Sequence, residues 1–329
     1  MRRLVLVPLA LAIALALLAL SPALLAAAAV ADLVLPGNWR TLRLVGFALC
    51  YLAMEVVGFA AMFVLWVGSG FGLWMRSERV QAWHYAFMAW WLRTTDRFAR
   101  WLFRLRIHIE DPPAPRPGPV LVFSRHAGPG NSLLLIGTIL VGYGRRPRIV
   151  MLSKLQWEPL YDVMLNRVPN RFIRHDPSRR EIYLEAIADL ARGMGDQDAF
   201  VLFPEGKDFT PRVRRRAIEY LRRKGHGRAA DRAEGMKRVL PPRHGGVMAA
   251  LESAPDADVV FVAHSVLEDL GTLKQLWSSI PLDHPVHSRY WRLPAAEVPK
   301  GEEQLIEWLY QWWERIDAWI QDHAVARGA

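Results

Sequence analysis

From Leu4 to Ala31 the chain carries no charged residue, and from Leu44 to Met75 it carries one, Glu55. Two apolar runs this long at one end are hard to accommodate in a small water-soluble core, because a bilayer span needs only about 20 apolar residues. Arg2 and Arg3 precede the first run and Ala26–Ala29 lie near its end. A membrane helix and a signal peptide cleaved near Ala31 both fit that pattern. The second run as one helix would measure about 48 Å against a hydrocarbon core of about 30 Å, so a break at Gly68-Ser69-Gly70 is expected. Leu44 to Val67 then spans. Glu55 is costly in lipid unless it faces another helix. Arg76, Arg79, Arg93, Arg97 and Arg100 follow the second run, which by the positive-inside bias places the remainder on the cytoplasmic face of the cell membrane.

The remainder is not a transporter. Charged residues make up 22% of the 329, and 42 basic side chains against 32 acidic ones give a formal net charge of +10. All but six of those bases are Arg, which keeps its charge and grips phosphate with a fixed fork. An anionic partner is implied. The single cysteine, Cys50, excludes an intrachain disulfide and the usual Cys/His zinc sites; no metal is expected.

The chain divides into a membrane-anchoring region (1–76), an interfacial amphipathic helix (77–110) and an α/β domain (111–329). In the second region Val80, Trp83, Phe87, Trp90, Phe98 and Trp101 fall near helical spacing, interleaved with arginines that suit a headgroup layer. Asp111 to Gly118, rich in proline, reads as a linker. Beyond it short strands alternate with helices: strands at 120–123, 148–152, 171–174, 199–203 and 258–263, with helices at 132–141, 159–165, 178–194, 243–252 and 301–323. That alternation predicts a mostly parallel sheet flanked by helices.

Three places carry chemistry. In Ser124-Arg-His-Ala-Gly-Pro-Gly-Asn-Ser132, His126 sits at the carboxyl end of a strand, where α/β sheets place their ligands. Asn131 can fold back to one imidazole nitrogen and leave the other to accept a proton; a loop histidine with Asn131 as a plain helix cap fits the same residues. Phe203-Pro204-Glu205-Gly206 closes another strand, and Lys207 follows. Glu205 can accept from a substrate hydroxyl or an arginine and Lys207 can bind phosphate, or the segment is a turn with a solvated Glu. From Lys207 to Arg243 there are 13 Lys or Arg and four acids, nearly the whole charge excess. Lipid headgroups or the phosphates of coenzyme A are economical partners for that stretch, a solvated loop is the plain alternative, and no nucleic acid is expected.

These motifs resemble the glycerolipid acyltransferases, typified by 1-acyl-glycerol-3-phosphate acyltransferase: an apolar N-terminus, His-x-x-x-x-acid after a strand, and Phe-Pro-Glu-Gly about 75 residues later. The resemblance covers roughly Phe98 to the end. It implies that His126 is the general base, that Phe203, Pro204, Glu205 and Gly206 help hold the acceptor, and that an arginine between the motifs, Arg171 or Arg174, binds the acceptor phosphate. It also implies acyl-CoA or acyl carrier protein as co-substrate, lysophospholipid and membrane phospholipid as partners, and no cofactor. The sequence departs from the pattern at Asn131, where the family has Asp, at Lys207-Asp208 in place of Thr-Arg, and at Ala263 in place of a frequent Pro. With Asn131 the chain is a slow enzyme, one adapted to Asn, or a lipid-binding relative without turnover.

Overall fold

In the computed structural model, residues 2–112, 116–126, 128–173, 180–265 and 273–325 are described. Seven strands form one sheet in the order β1-β7-β6-β2-β5-β3-β4. They are β1 (Ile107–Glu110), β2 (Val120–Ser124), β3 (Arg146–Leu152), β4 (Arg171–Ile173), β5 (Asp198–Leu202), β6 (Asp258–His264) and β7 (Val286–Leu293). Every adjacent pair is parallel except β6 with β7. The protein is thus an α/β fold with a mostly parallel sheet flanked by helices.

β2 runs through the centre and is buried along its whole length, as a strand covered on both faces must be. Its side chains alternate. Leu121 and Phe123 enter a core shared with α7 (Arg180–Ala191), α10 (His244–Ser253) and α12 (Glu302–Val325). Val120 and Val122 enter a second core beneath α5 (Pro129–Gly137) and the π-turn at Thr138–Gly142. The chain leaves β2 toward β3 by way of α5, on one face. It leaves β5 toward β6 by way of α8 (Pro211–Arg223), α9 (Gly227–Gly235) and α10, and the last of these lies on the other face. The carboxyl ends of β2 and β5 therefore flank a switch point, where open α/β sheets leave a crevice.

The first apolar run is two helices, α1 (Arg2–Ala19) and α2 (Ser21–Val34), with Pro22 in the first turn of α2, a position where its missing N–H costs nothing. α3 (Arg40–Gly68) stops at the expected glycine-serine break. By length and composition α1 and α3 can each cross a membrane. α1 meets the α/β domain at its N-terminal end, and α3 meets it near both ends. Asp162 on α6 (Pro159–Leu165), its side chain 2% exposed, accepts from Arg2 at 3.0 Å and Arg3 at 2.7 Å. Arg40 donates to the Ile280 carbonyl at 2.8 Å, and Arg167 donates to the Met62 carbonyl at 2.6 Å. Glu55 does face another element: it is buried against Glu158, the N-cap of α6. Leu4, Val5, Leu33, Val34, Phe63 and Val64 face outward.

α4 (Glu78–Phe103) is capped by Ser77 and is two-sided. Trp91 is fully buried and donates to the Met54 carbonyl of α3, while Trp83, Trp90 and Trp101 are exposed. The sheet begins before the proline-rich stretch, with β1, rather than after it. The arginine-rich stretch is not a loop. Thr210 caps α8 and Arg214 binds the carbonyls of Ala233, Glu234 and Met236 at the end of α9. Arg232 pairs with Glu307 and Glu314 of α12.

Candidate active site

His126 follows the carboxyl end of β2 by two residues, and Phe203 opens the loop after β5. Because β2 and β5 are adjacent and in register (Phe123 beside Leu202), two motifs far apart in sequence meet in the crevice. The Phe203 ring lies 4.6 Å from the imidazole, centroid to centroid. The backbone of His126 is held from both sides. Its N–H donates to Glu205 Oε2 at 3.2 Å, and its carbonyl accepts from the Phe209 N–H at 3.0 Å.

Glu205 is 2% exposed and does not face an acceptor from solvent. Besides His126 it accepts from Trp313 Nε1 at 3.3 Å and from the Leu240 backbone. Burial pushes its carboxyl up to about 7 against the pull of the Arg125 guanidinium. It is not a solvated turn: the arginine it meets is Arg125, and its carboxylate braces the His126 loop. Arg125 is itself fully buried and donates to the His264 carbonyl at 3.2 Å.

The carboxylate beside the imidazole belongs to Asp208. Its Oδ1 stands 2.8 Å from His126 Nδ1, in ion-pair contact but off the line of an ideal N–H···O bond. Asp208 also accepts from the Gly128 N–H, and Gly128 makes the turn possible with φ +97°. Bonding to His126 outweighs the opposing effect of burial and, with the Gly128 amide and the Lys154 charge, holds the Asp208 carboxyl below its usual range. It is ionised at neutral pH. With Nδ1 facing this carboxylate, Nε2 is the nitrogen left to take a proton.

Asn131 plays a different part from the one its spacing suggested. It is 2% exposed, and its amide donates to the Arg125 carbonyl at 2.9 Å. That bond fastens the start of α5 to the end of β2. The physical reason is the turn: Pro129 and Gly130 already belong to α5, so the helix begins before Asn131 and carries its side chain under the loop.

The remaining expected residues divide. Pro204 is buried, and its carbonyl accepts from the Arg243 N–H at 2.9 Å. Gly206 has φ +67° beside the Arg243 guanidinium, a backbone conformation that strains any other residue. Lys207 is exposed in the loop after β5, next to Asp208 in sequence. Arg171 is exposed on the edge strand β4, near Asp189 at 3.9 Å. β4 lies three strands from β2, about 14 Å across the sheet. Arg174 lies outside the described residues. Sequence reasoning missed Asp208 as partner of the imidazole and missed Lys154, which follows β3 and whose charge reaches Asp208. A strand-end position was the available signal for both.

The sequence matches no family model and no curated protein. The fold is similar to the crystal structure of the 1-acyl-sn-glycerophosphate acyltransferase PlsC from Thermotoga maritima. The TM-score is 0.45 at 13% identity, over 80% of this chain and 95% of that one. The likeness concerns the course of the chain; what the site can do follows from its own side chains. A histidine with one nitrogen on an ionised carboxylate and the other open to a crevice can deprotonate a hydroxyl. Exposed lysines in the loops after β3 and β5 favour an anionic substrate.

Proposed function

We propose that the protein is a membrane-associated acyltransferase, which moves an acyl group from acyl-CoA or acyl carrier protein to a hydroxyl of a lysophospholipid, foremost 1-acyl-glycerol-3-phosphate. The observation that carries the reading is the His126–Asp208 pair in the crevice between β2 and β5. His126 Nε2 takes the hydroxyl proton as the oxygen attacks the thioester carbonyl. The tetrahedral intermediate collapses with loss of the thiolate, which recovers the proton. Asp208 offsets the charge that forms on the imidazole and holds its tautomer, the part the family assigns to the residue at Asn131. No covalent acyl-enzyme is needed. Asp208 thereby answers the objection that Asn131 raises against turnover.

The outward apolar side chains of α1, α2 and α3 and the exposed tryptophans of α4 fit burial in a membrane surface, which brings the crevice to its lipid substrate. Lys207 and Lys154 are the proposed partners of the acceptor phosphate. The direct test is thiol release from acyl-CoA and acyl carrier protein thioesters with a panel of lysolipids. Wild type turns over with at least one phosphorylated lysolipid and His126→Ala does not, while remaining folded. Background rates for wild type with every pair overturn the reading.

A further inference from the structure

At the edge of the sheet a second cluster of titratable groups stands apart from the crevice. Glu110 on β1, His287 on β7 and His323 on α12 each offer one ligand atom, and the three atoms lie within 4.8 Å of one another. β7 lies two strands from β2, about 10 Å across the sheet. The proposed acyl transfer uses none of the three.

The hydrogen bonds fix what each atom can do. His323 Nδ1 is 2.8 Å from the Trp319 carbonyl, one turn back on α12. A carbonyl only accepts, so Nδ1 carries the proton and a neutral His323 has its lone pair on Nε2. That nitrogen is 2.6 Å from Glu110 Oε1. A lone pair facing a carboxylate oxygen at that distance is repulsive unless a proton or a cation lies between. His287 Nδ1 stands 3.5 Å from the same oxygen, buried and outside hydrogen-bond geometry. A proton on His323 Nε2, with neutral His287 carrying its hydrogen on Nδ1, satisfies both contacts as an ion pair. A single cation bound by the lone pairs of all three groups satisfies them too, and the gathering of three ligand atoms within 4.8 Å is what favours the cation.

We propose that Glu110, His287 and His323 bind one divalent transition-metal ion, for which Zn2+ is the best match. Two imidazoles and one carboxylate are a zinc ligand set that leaves a fourth position open. Tetrahedral bonds of about 2.0–2.1 Å place ligand atoms about 3.3 Å apart, so the cluster has to spread by about 0.7 Å at its tightest contact, the 2.6 Å between His323 Nε2 and Glu110 Oε1. The outer shell is in place. Trp319 Nε1 donates to Glu110 Oε2 at 2.9 Å, and the Trp319 carbonyl orients His323, the support that metal-bound histidines and carboxylates ordinarily have. The nearby Arg289 guanidinium is engaged with Asp111 at 2.7 Å and with the Trp291 ring. His108, its ring 5.4 Å from that of His287, borders the open side. The single cysteine argues only against thiolate sites; this set needs none. The ion would clip the edge strand β1 to β7 and to the C-terminal helix.

Calorimetric titration of chelator-treated, full-length protein in detergent with Zn2+ tests the site. Wild type takes up a single equivalent. His287→Ala and His323→Ala each lower the affinity by more than about tenfold, and Trp319→Phe, which loses only the indole bond to Glu110, lowers it by about tenfold. Co2+ in place of Zn2+ gives wild type the visible absorption of a tetrahedral site, lost in His287→Ala. That variant keeps the test decisive should His323→Ala fail to fold, since His287 Nδ1 has no hydrogen bond to lose. Absence of saturable Zn2+ uptake by wild type, or uptake unchanged in His287→Ala, overturns the proposal and leaves the cluster an ion pair.

Discussion

His126 Nδ1 stands 2.8 Å from Asp208 Oδ1, so the imidazole at the end of β2 is paired with a carboxylate from the loop after β5, not with the residue five places further along its own loop. Asp208→Asn removes the charge and leaves the shape. The expected result is a fall in the rate of thiol release by about two to four orders of magnitude, with little change in KM for either substrate. Steady-state kinetics on both substrates reads it, with His126→Ala as the floor.

Asn131→Asp is expected to do harm. The amide at this buried site donates to the Arg125 carbonyl. A carboxylate there has no proton to give and sets like partial charges face to face, which costs about 1–3 kcal/mol. Chemical denaturation should show that loss, and thiol release should show no gain over wild type from pH 6 to 9. A faster variant would return Asn131 to the imidazole.

Glu205 makes the protein less stable as pH rises. Its carboxyl is raised by burial from 4.5 to about 7, so the folded state holds a proton that the unfolded state has released between those values. Stability from this group is complete below about 4.5 and is lost as pH rises through about 7, by about 3 kcal/mol in all. Glu205→Gln should flatten that part of the profile of unfolding free energy against pH. It should also weaken the hold on the His126 N–H, and with it activity.

Lys154 and Lys207 are exposed in the loops after β3 and β5. Replacing either with Ala is expected to raise KM for a phosphorylated acceptor by about tenfold, the value of one charge-assisted hydrogen bond. KM for the acyl donor should barely move. Initial rates at varied concentrations of each substrate separate the two effects, and equal shifts would place the lysines on the donor.

Removing the Arg2 and Arg3 side chains should loosen α1 from α6. Asp162 accepts from both and is otherwise nearly inaccessible, so a double Ala variant leaves a buried carboxylate short of partners. A loss of about 1–3 kcal/mol is expected, the cost of leaving a buried acceptor short of donors, with Asn166 still donating to it at 3.1 Å. Thermal unfolding in detergent measures it, and Asp162→Asn in the same background should recover part of the loss.

The sequence by itself determined the features that depend on neighbours along the chain. Short, β-branched apolar runs such as Val120–Phe123 and Val259–Ala263 read as buried strands, and their alternation with amphipathic helices determined a mostly parallel sheet. Strand-end position also marked His126 and Phe203–Gly206. Short-range signals failed where two solutions were locally equal. Ser21-Pro22 divides the first apolar run as readily as the run can continue, and β1 (Ile-His-Ile-Glu) and β7, with His287, Ser288, Arg289 and Arg292 among its residues, lack the continuous apolar stretch that marks the central strands. Tertiary structure alone decided which carboxylate meets the imidazole. Asn131 and Asp208 were both near enough in principle, one by sequence and one by sheet order. Early entry into α5 carries Asn131 beneath the loop, and the β2–β5 pairing sets Asp208 at the ring. It decided the Glu110–His287–His323 cluster for the same reason: those residues come from the edge strand β1, its neighbour β7 and the last helix, and no spacing along the chain announces that a sheet will bring them within bonding distance of one ion.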